Sequence, residues 1–391
     1  MNRGPRWGTL RSLIRTYISK FCPCVVFDVR QSLNVADRPT SGSPKASEGL
    51  NSVDTAEHGR TTLWISYEQE EERSVEVPGL GIVFDLLRML TSILILTKND
   101  VEGVRNCLTA IYSQRATNPF EVVVIDSGST DGTLEALRRF PVRVEQIPPE
   151  VFHHARTRNL AAGYANGELL VFLSQDAIPA STDWLHALVS NFDDPKVGAV
   201  YGRQLPKQGS SLERQDALNA LYGAHRIVKD PACRNDCGYL FYHFSDVNAA
   251  MRRSVWQSAL FPENLKVFED LGIAKLILDA GWKVVYEPAA AVFHSHQHTT
   301  LGLFKRYFDI GYTLKLLKIW DAPGTKRSML RDASGLLTRK LGRLRNDREM
   351  GSLHKGIRQE IVKSAGLFFG LNQGYIPLFL KRRWSAFQVF D

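Results

Sequence analysis

EVVVIDSGSTDGT, residues 121–133, is the stretch that decides the fold. A run of valine and isoleucine stops at Asp126, polar and glycine residues follow, and Leu134 and Leu137 then resume at helical spacing. A short apolar strand that hands over to a helix through a polar turn is half of a βαβ unit. The same pattern recurs on either side, and strands are predicted over Ser92–Leu96, Glu121–Ile125, Val142–Ile147 and Leu169–Leu173. In open α/β sheets ligands bind outside the carboxyl ends of the strands. Those ends read Thr97-Lys98-Asn99-Asp100, Asp126-Ser127-Gly128-Ser129, Pro148-Pro149 and Ser174-Gln175-Asp176.

No GxGxxG follows the first strand and no GxxxxGK[ST] occurs anywhere, which argues against dinucleotide oxidoreductases and P-loop NTPases. What the sheet edge does offer is carboxylates, hard oxygen ligands suited to Mg²⁺ or Mn²⁺ and, through such a cation, to nucleotide phosphates. The five cysteines form no even framework, and neither Cys22-Pro-Cys24 nor Cys233 with Cys237 has the usual two-residue gap of a zinc site. A reducing compartment is expected.

The chain of 391 residues has a net charge of +8, unevenly spread. Residues 1–88 hold 11 basic and 11 acidic side chains, residues 89–301 hold 20 and 23, and residues 302–391 hold 18 and 7. The excess belongs to the last segment alone, so a nucleic-acid-binding core is not expected. In the first segment Trp7, Leu10, Leu13, Ile14, Tyr17, Ile18 and Phe21 recur at helical spacing, and Ser41–Glu57 has loop composition. No stretch is long and apolar enough to span a membrane.

Taken together, SILILTKND, EVVVIDSGSTDGT, FHHARTRNLAAGYANGELLVFLSQDAIP, DVNAAMRRSVW, FEDLGIAKLILDAGWKVVYEP and AAVFHSHQHTT resemble a family 2 glycosyltransferase in content and order. The ensuing LFKRYFDIGYTLK resembles the bacterial rhamnosyltransferase branch. The resemblance covers Leu90 to about Thr300. It implies the GT-A fold, a Rossmann-like, mostly parallel sheet flanked by helices, over residues 89–301. An N-terminal extension of unassigned role, 1–88, would precede it, and a basic helical region, 302–391, would follow.

The resemblance also implies roles. Thr97 and Asn99 would line the nucleotide site, Asp126 would accept a hydrogen bond from the pyrimidine base, and Arg158 would meet phosphate oxygens. Ser129 and Asp131 are read as caps of the helix that follows them. His153 and His154 are read as surface-loop residues. The family's Asp-x-Asp is reduced here to Ser174-Gln175-Asp176, so Asp176 is the expected carboxylate for a divalent cation, with His294 as second ligand and His296 on the same side of the strand end. Asp270, beside Glu269 at the start of a helix over Leu271–Ala280, would be the general base of an inverting displacement. Lys275 stands where the family often has Arg.

The expectation is a metal-dependent inverting glycosyltransferase that moves L-rhamnose from a dTDP donor to a polysaccharide or lipid-linked saccharide in cell-surface glycan synthesis. The alternatives are another UDP- or dTDP-sugar, or a degenerate GT-A module serving as an assembly partner. Basic, aromatic-bearing stretches at Arg339–Arg345 and Lys381–Trp384 suit an anionic leaflet, so a cytoplasmic protein peripheral to the inner face of the cell membrane is expected.

Overall fold

The computed structural model describes residues 49–56, 60–66, 72–76, 90–116, 118–234, 238–296, 298–322, 325–326 and 350–390. The helical pattern of residues 7–21, Cys22, Cys24, Cys237 and the Arg339–Arg345 stretch lie outside them. The chain divides into two compact units, one of residues 1–91 with 118–121 and 166–168, the other of the remainder.

In the first unit β1 (Gly49–Ala56), β2 (Arg60–Ser66) and β3 (Glu72–Glu76) form an antiparallel sheet in that order. Gly49–Ala56 was expected to be loop. It is a strand because β2, rich in threonine, tryptophan and isoleucine, supplies a ladder on which Val53 pairs with Leu63.

The second unit is built on a mixed sheet. Its strands are β4 (Thr91–Thr97), β5 (Phe120–Asp126), β6 (Arg143–Gln146), β7 (Leu169–Ser174), β8 (Ile178–Pro179), β9 (Val197–Leu205), β10 (Ile227–Lys229), β11 (Asn248–Arg252) and β12 (Lys283–Phe293). Their order is β10-β12-β9-β11-β7-β4-β5-β6, with β8 on β12. β5–β6 and β9–β12 are parallel, while β11 runs antiparallel to both β7 and β9. This is the GT-A type α/β sheet that the resemblance implied, and the four strands read from periodicity are all in it.

Helices flank the sheet: α1 (Val101–Tyr112), α2 (Thr133–Leu137), α3 (His154–Tyr164), α4 (Trp184–Val189), α5 (Leu212–Leu221), α6 (Arg253–Ser258) and α7 (Glu269–Asp279). α1 shows why: Asp100 caps it by accepting from Gly103 N at 2.9 Å, and Val104, Cys107, Leu108 and Ile111 give it one buried stripe. Covered strands are apolar on both faces, and β5 is buried from Glu121 to Asp126.

β12 is one strand with a register shift between Glu287 and Ala291, where Pro288 offers no N–H to a ladder. The shifted carbonyl of Ala290 accepts from Asn248 Nδ2 at 2.8 Å, and Asn248 Oδ1 accepts from Trp184 Nε1 at 2.9 Å. A Cβ at Gly202 would lie 2.0 Å from that carbonyl, so only glycine fits opposite the shift. Asn248 thus joins α4, β11 and β12 from a fully buried position.

Beyond the sheet, α8 (Thr300–Leu316), α9 (Met350–Leu371) and α10 (Leu378–Trp384) belong to the same unit. The backbones of α8 and α9 touch. A Cβ at Gly366 would meet Phe304 O at 2.4 Å, one at Gly370 would meet Phe308 O at 2.0 Å, and one at Gly311 would meet Leu367 O at 2.4 Å. Contacts climb together along both helices, so the two run parallel. Among the described residues no helix is long and apolar enough to cross a membrane.

Candidate active site

The carboxyl ends of β4, β5 and β7 converge. Ser127 N donates to Thr97 O at 2.9 Å, and Thr97 Oγ1 donates to Gln175 Oε1 at 2.6 Å. Gln175, the middle residue of Ser174-Gln175-Asp176, also accepts from Lys98 N, so its amide fastens the β4 turn. Asn99 adopts φ 45°, a left-handed conformation that asparagine tolerates. It stitches two turns: its N–H donates to Ser129 Oγ and its Oδ1 accepts from Thr130 N. Asp126 is fully buried and accepts from the backbone N–H groups of Gly128 and Ser129 and from the Ser129 hydroxyl. Thr97, Asn99 and Asp126 are therefore together at this edge, each engaged in holding its shape.

Neither Ser129 nor Asp131 occupies the N-cap position of α2, which is Gly132. Asp131 Oδ1 accepts from Thr133 N and Oγ1 at the start of α2, whereas Ser129 is turned back onto Asp126 and Asn99. His153 is no surface-loop residue: it is the N-cap of α3, its Nδ1 accepting from Arg156 N at 3.4 Å.

A second cluster forms where β8 pairs with Val292 and Phe293 and so folds the Asp176 turn onto the end of β12. Asp176 Oδ1 lies 3.4 Å from His294 Nε2, and its Oδ2 lies 3.7 Å from His296 Nε2 and 2.8 Å from Lys207 Nζ. Burial pushes the Asp176 carboxyl up, but hydrogen bonds and charge from His294 and Lys207 outweigh it and hold the group well below the ordinary carboxylate range. One ligand atom from each of Asp176, His294 and His296 fits within a 4.8 Å span, which suits a single ion. His294 Nδ1 stands 3.0 Å from Gln204 Oε1, and its Nε2 faces Asp176. A carboxylate with two imidazoles, one of them fixed from behind, suits a divalent first-row cation such as Mn²⁺.

A third cluster surrounds Arg158 on α3. Its guanidinium, only 11% exposed, lies 2.6 Å from Glu269 Oε1 and 2.8 Å from Asp246 Oδ2. Expected at a phosphate, Arg158 is instead committed to these two acids. Burial works against its charge, but Asp246, Glu269 and Asp270 outweigh burial and raise its pKa. Asp270 heads α7, its Oδ1 accepting from Leu271 N at 2.7 Å. Burial, then the neighbouring Asp246 and Glu269 carboxylates, push its carboxyl well above the ordinary range. Burial likewise pushes Asp246 up to about 6. His154 borders this group, 4.0 Å from Glu269. Lys275 does not join it: its ammonium pairs with Asp279 one turn along α7.

Gln204 connects the second and third clusters. Its amide nitrogen donates to Tyr222 OH at 2.7 Å and to Ser245 Oγ at 2.9 Å, and Ser245 adjoins Asp246. Gln204, Lys207 and Asp246 were not singled out from sequence. Gln204 and Lys207 sit at the carboxyl end of β9, so the strand-end rule would have found them had β9 been drawn.

Residues 92–259 match the sequence profile of the glycosyl transferase family 2. The O-antigen chain rhamnosyltransferase RfbN of Salmonella typhimurium is 39% identical over 209 residues, 53% of this chain and 66% of that protein. WbaN of Salmonella anatum, also an O-antigen chain rhamnosyltransferase, is 37% identical over 202 residues, 51% of this chain and 64% of that protein. The chain thus spans just under two thirds of the length of these curated relatives. Among solved structures, the mannosyltransferase PcManGT from Pyrobaculum calidifontis in complex with GDP-Man and Mn²⁺ aligns over 77% of this chain and 84% of that one, with 20% identity and a TM-score of 0.45.

Proposed function

From the premise that this chain carries a family 2 glycosyltransferase domain, we propose that it is an inverting transferase of cell-surface glycan synthesis. It takes L-rhamnose from dTDP-L-rhamnose and delivers it to a polysaccharide or lipid-linked saccharide. The observation that carries the reading is the half-buried Asp270 at the start of α7, its carboxyl raised by burial and by Asp246 and Glu269, with Gln204 linking Ser245, next to Asp246, to His294 of the Asp176 cluster.

In this reading Asp270 removes the proton from the acceptor hydroxyl as that oxygen attacks the anomeric carbon. The bond from that carbon to the donor phosphate breaks, and the proton ends on Asp270. A raised carboxyl pKa makes Asp270 a stronger base, and a positioned base is worth about 10²–10⁴ in rate. Direct displacement needs one such carboxylate, unlike the paired acids of a retaining glycosidase. Arg158 holds Glu269 and Asp246 in place beside the base. Asp176, His294 and His296 would hold a divalent cation, which supplies positive charge against the donor diphosphate when bound. Thr97, Asn99 and Asp126 shape the edge that receives the nucleotide.

The acceptor side carries the membrane reading. Tyr375 (92% exposed), Phe379 (70%) and Phe368 (61%) belong to the same stretch of chain, α9 to α10, as the exposed Arg382 and Arg383. Aromatic and basic side chains together favour an anionic leaflet. An assay of purified protein with dTDP- and UDP-sugars, Mn²⁺ or Mg²⁺ and a membrane extract tests the whole reading. Transfer from dTDP-L-rhamnose is the expected result. Absence of turnover with every donor, despite metal-dependent nucleotide binding, would instead favour a degenerate assembly module.

A further inference from the structure

The loop that presents Glu269 and Asp270 is unusual in its backbone. Phe268, which precedes them, has φ 57° and ψ 33°, a left-handed conformation costly for a bulky side chain. Such a residue keeps that conformation only where its surroundings over-determine it, and here they come from a segment more than a hundred residues away. The Phe268 ring stands edge-on to Phe387, centroids 6.5 Å apart at 76°, and the Arg306 guanidinium lies 5.4 Å from its face. Two residues earlier, Lys266 Nζ donates to Gln388 O at 2.8 Å.

That segment is itself anchored. Asp309, fully buried on α8, accepts from Ala386 N at 2.8 Å and from Phe387 N at 3.3 Å through the same oxygen. Ser385 Oγ accepts from Phe387 N and Val389 N. The Phe390 ring packs against Phe308 and Tyr312 of α8, centroids 5.8 and 4.8 Å away. We infer that Ser385–Phe390 is a strap that positions the catalytic base, with Phe387 holding Phe268 and thereby the Glu269–Asp270 start of α7. Phe387 and Phe268 are positioning residues, since neither is assigned a contact with substrate. The inference rests on reading Asp270 as the base, because a small misplacement of a reacting group costs rate out of proportion to any loss of binding.

The test uses the full chain with Phe387→Ala and Phe387→Tyr. Phe387→Ala is expected to lower kcat about tenfold with the donor KM within twofold. Phe387→Tyr, which keeps the ring, is expected to restore kcat to within twofold. Amide hydrogen exchange supplies a readout independent of activity. In Phe387→Ala the amides of residues 268–272 should exchange at least fivefold faster, while those of Val123 and Val124 in β5 stay unchanged. Parental kcat in Phe387→Ala, or unchanged exchange at 268–272, overturns the inference, as does an equal acceleration at β5. Phe268→Gly against Phe268→Ala is the second pair. Glycine adopts the left-handed backbone freely, so Phe268→Ala should lose more activity, and equal losses would also overturn the inference. Were the parental chain inactive with every nucleotide sugar, the proposed function would fail while the exchange data still decided the strap.

Discussion

Nδ1 of His294 lies 3.0 Å from Oε1 of Gln204, both side chains buried, and this one hydrogen bond sets which imidazole nitrogen faces Asp176. Replacing Gln204 by leucine frees the ring to turn and strands the Tyr222 and Ser245 hydroxyls. The expected result is a loss of Mn²⁺ affinity of about 10–100-fold, read by titration calorimetry. Unchanged affinity would remove His294 from the ligand set.

Asp270→Asn keeps the shape of the site and its hydrogen bond to Leu271 N but cannot accept a proton from an acceptor. Transfer should fall by about 10²–10⁴ with nucleotide-sugar binding within a factor of a few. Transfer at the parental rate would show that another group is the base.

In the proposed role Asp270 must be ionised to act, and its carboxyl is raised by burial and by Asp246 and Glu269. Activity should therefore rise with pH along a limb lying above the ordinary carboxylate range. Asp246→Asn removes a neighbouring negative charge and leaves Arg158 freer to favour ionised Asp270, so the limb of kcat/KM should move to lower pH. A limb that stays put would separate Asp246 from the base.

Asp309 offers a stability test. Burial, only partly offset by Ser385, Ala386, Phe387 and Arg306, pushes its carboxyl up to about 6. An acid raised in the folded chain binds its proton more tightly there than when unfolded. Its favourable contribution is complete below the usual value near 4 and is lost as pH climbs through 6. Asp309→Asn lacks this dependence, so between pH 5 and pH 7.5 it should gain roughly 1–2 kcal/mol on the parental protein in urea unfolding. A constant difference across that range would refute the assignment.

Gly370→Ala places a Cβ against Phe308 O, where the contact would be 2.0 Å, while Gly374→Ala meets nothing within 4 Å. The first should cost about 1–3 kcal/mol and the second almost nothing. Paired thermal melts decide it, and equal Tm values would mean that α8 and α9 can part without penalty.

The parts of the site legible in sequence are those fixed by local pattern. Thr97, Asp126 and Asp176 each close an apolar run, and period alone put them at one sheet edge. His294 and His296 alternate after such a run, and the structure does bring both to Asp176. Lys207 stayed hidden because β9 is interrupted by Gly198 and Gly202, which dilute its apolar signal. The partners of Arg158 stayed hidden for a different reason. Asp246 and Glu269 lie 88 and 111 residues away, and the start of a helix looks equally apt for phosphate or carboxylate until the chain has closed on itself.

Asn248 has a consequence for anyone wishing to redirect this protein to new substrates. It sits two residues after Asp246, and its amide is the pin through α4, β11 and β12. A change there leaves an indole N–H and a shifted carbonyl without partners two residues from the acid Asp246. Selection for new specificity would meet misfolding at that position before it met altered chemistry. Useful variation has to come from the strand-end turns, whose side chains can change without pulling the pin.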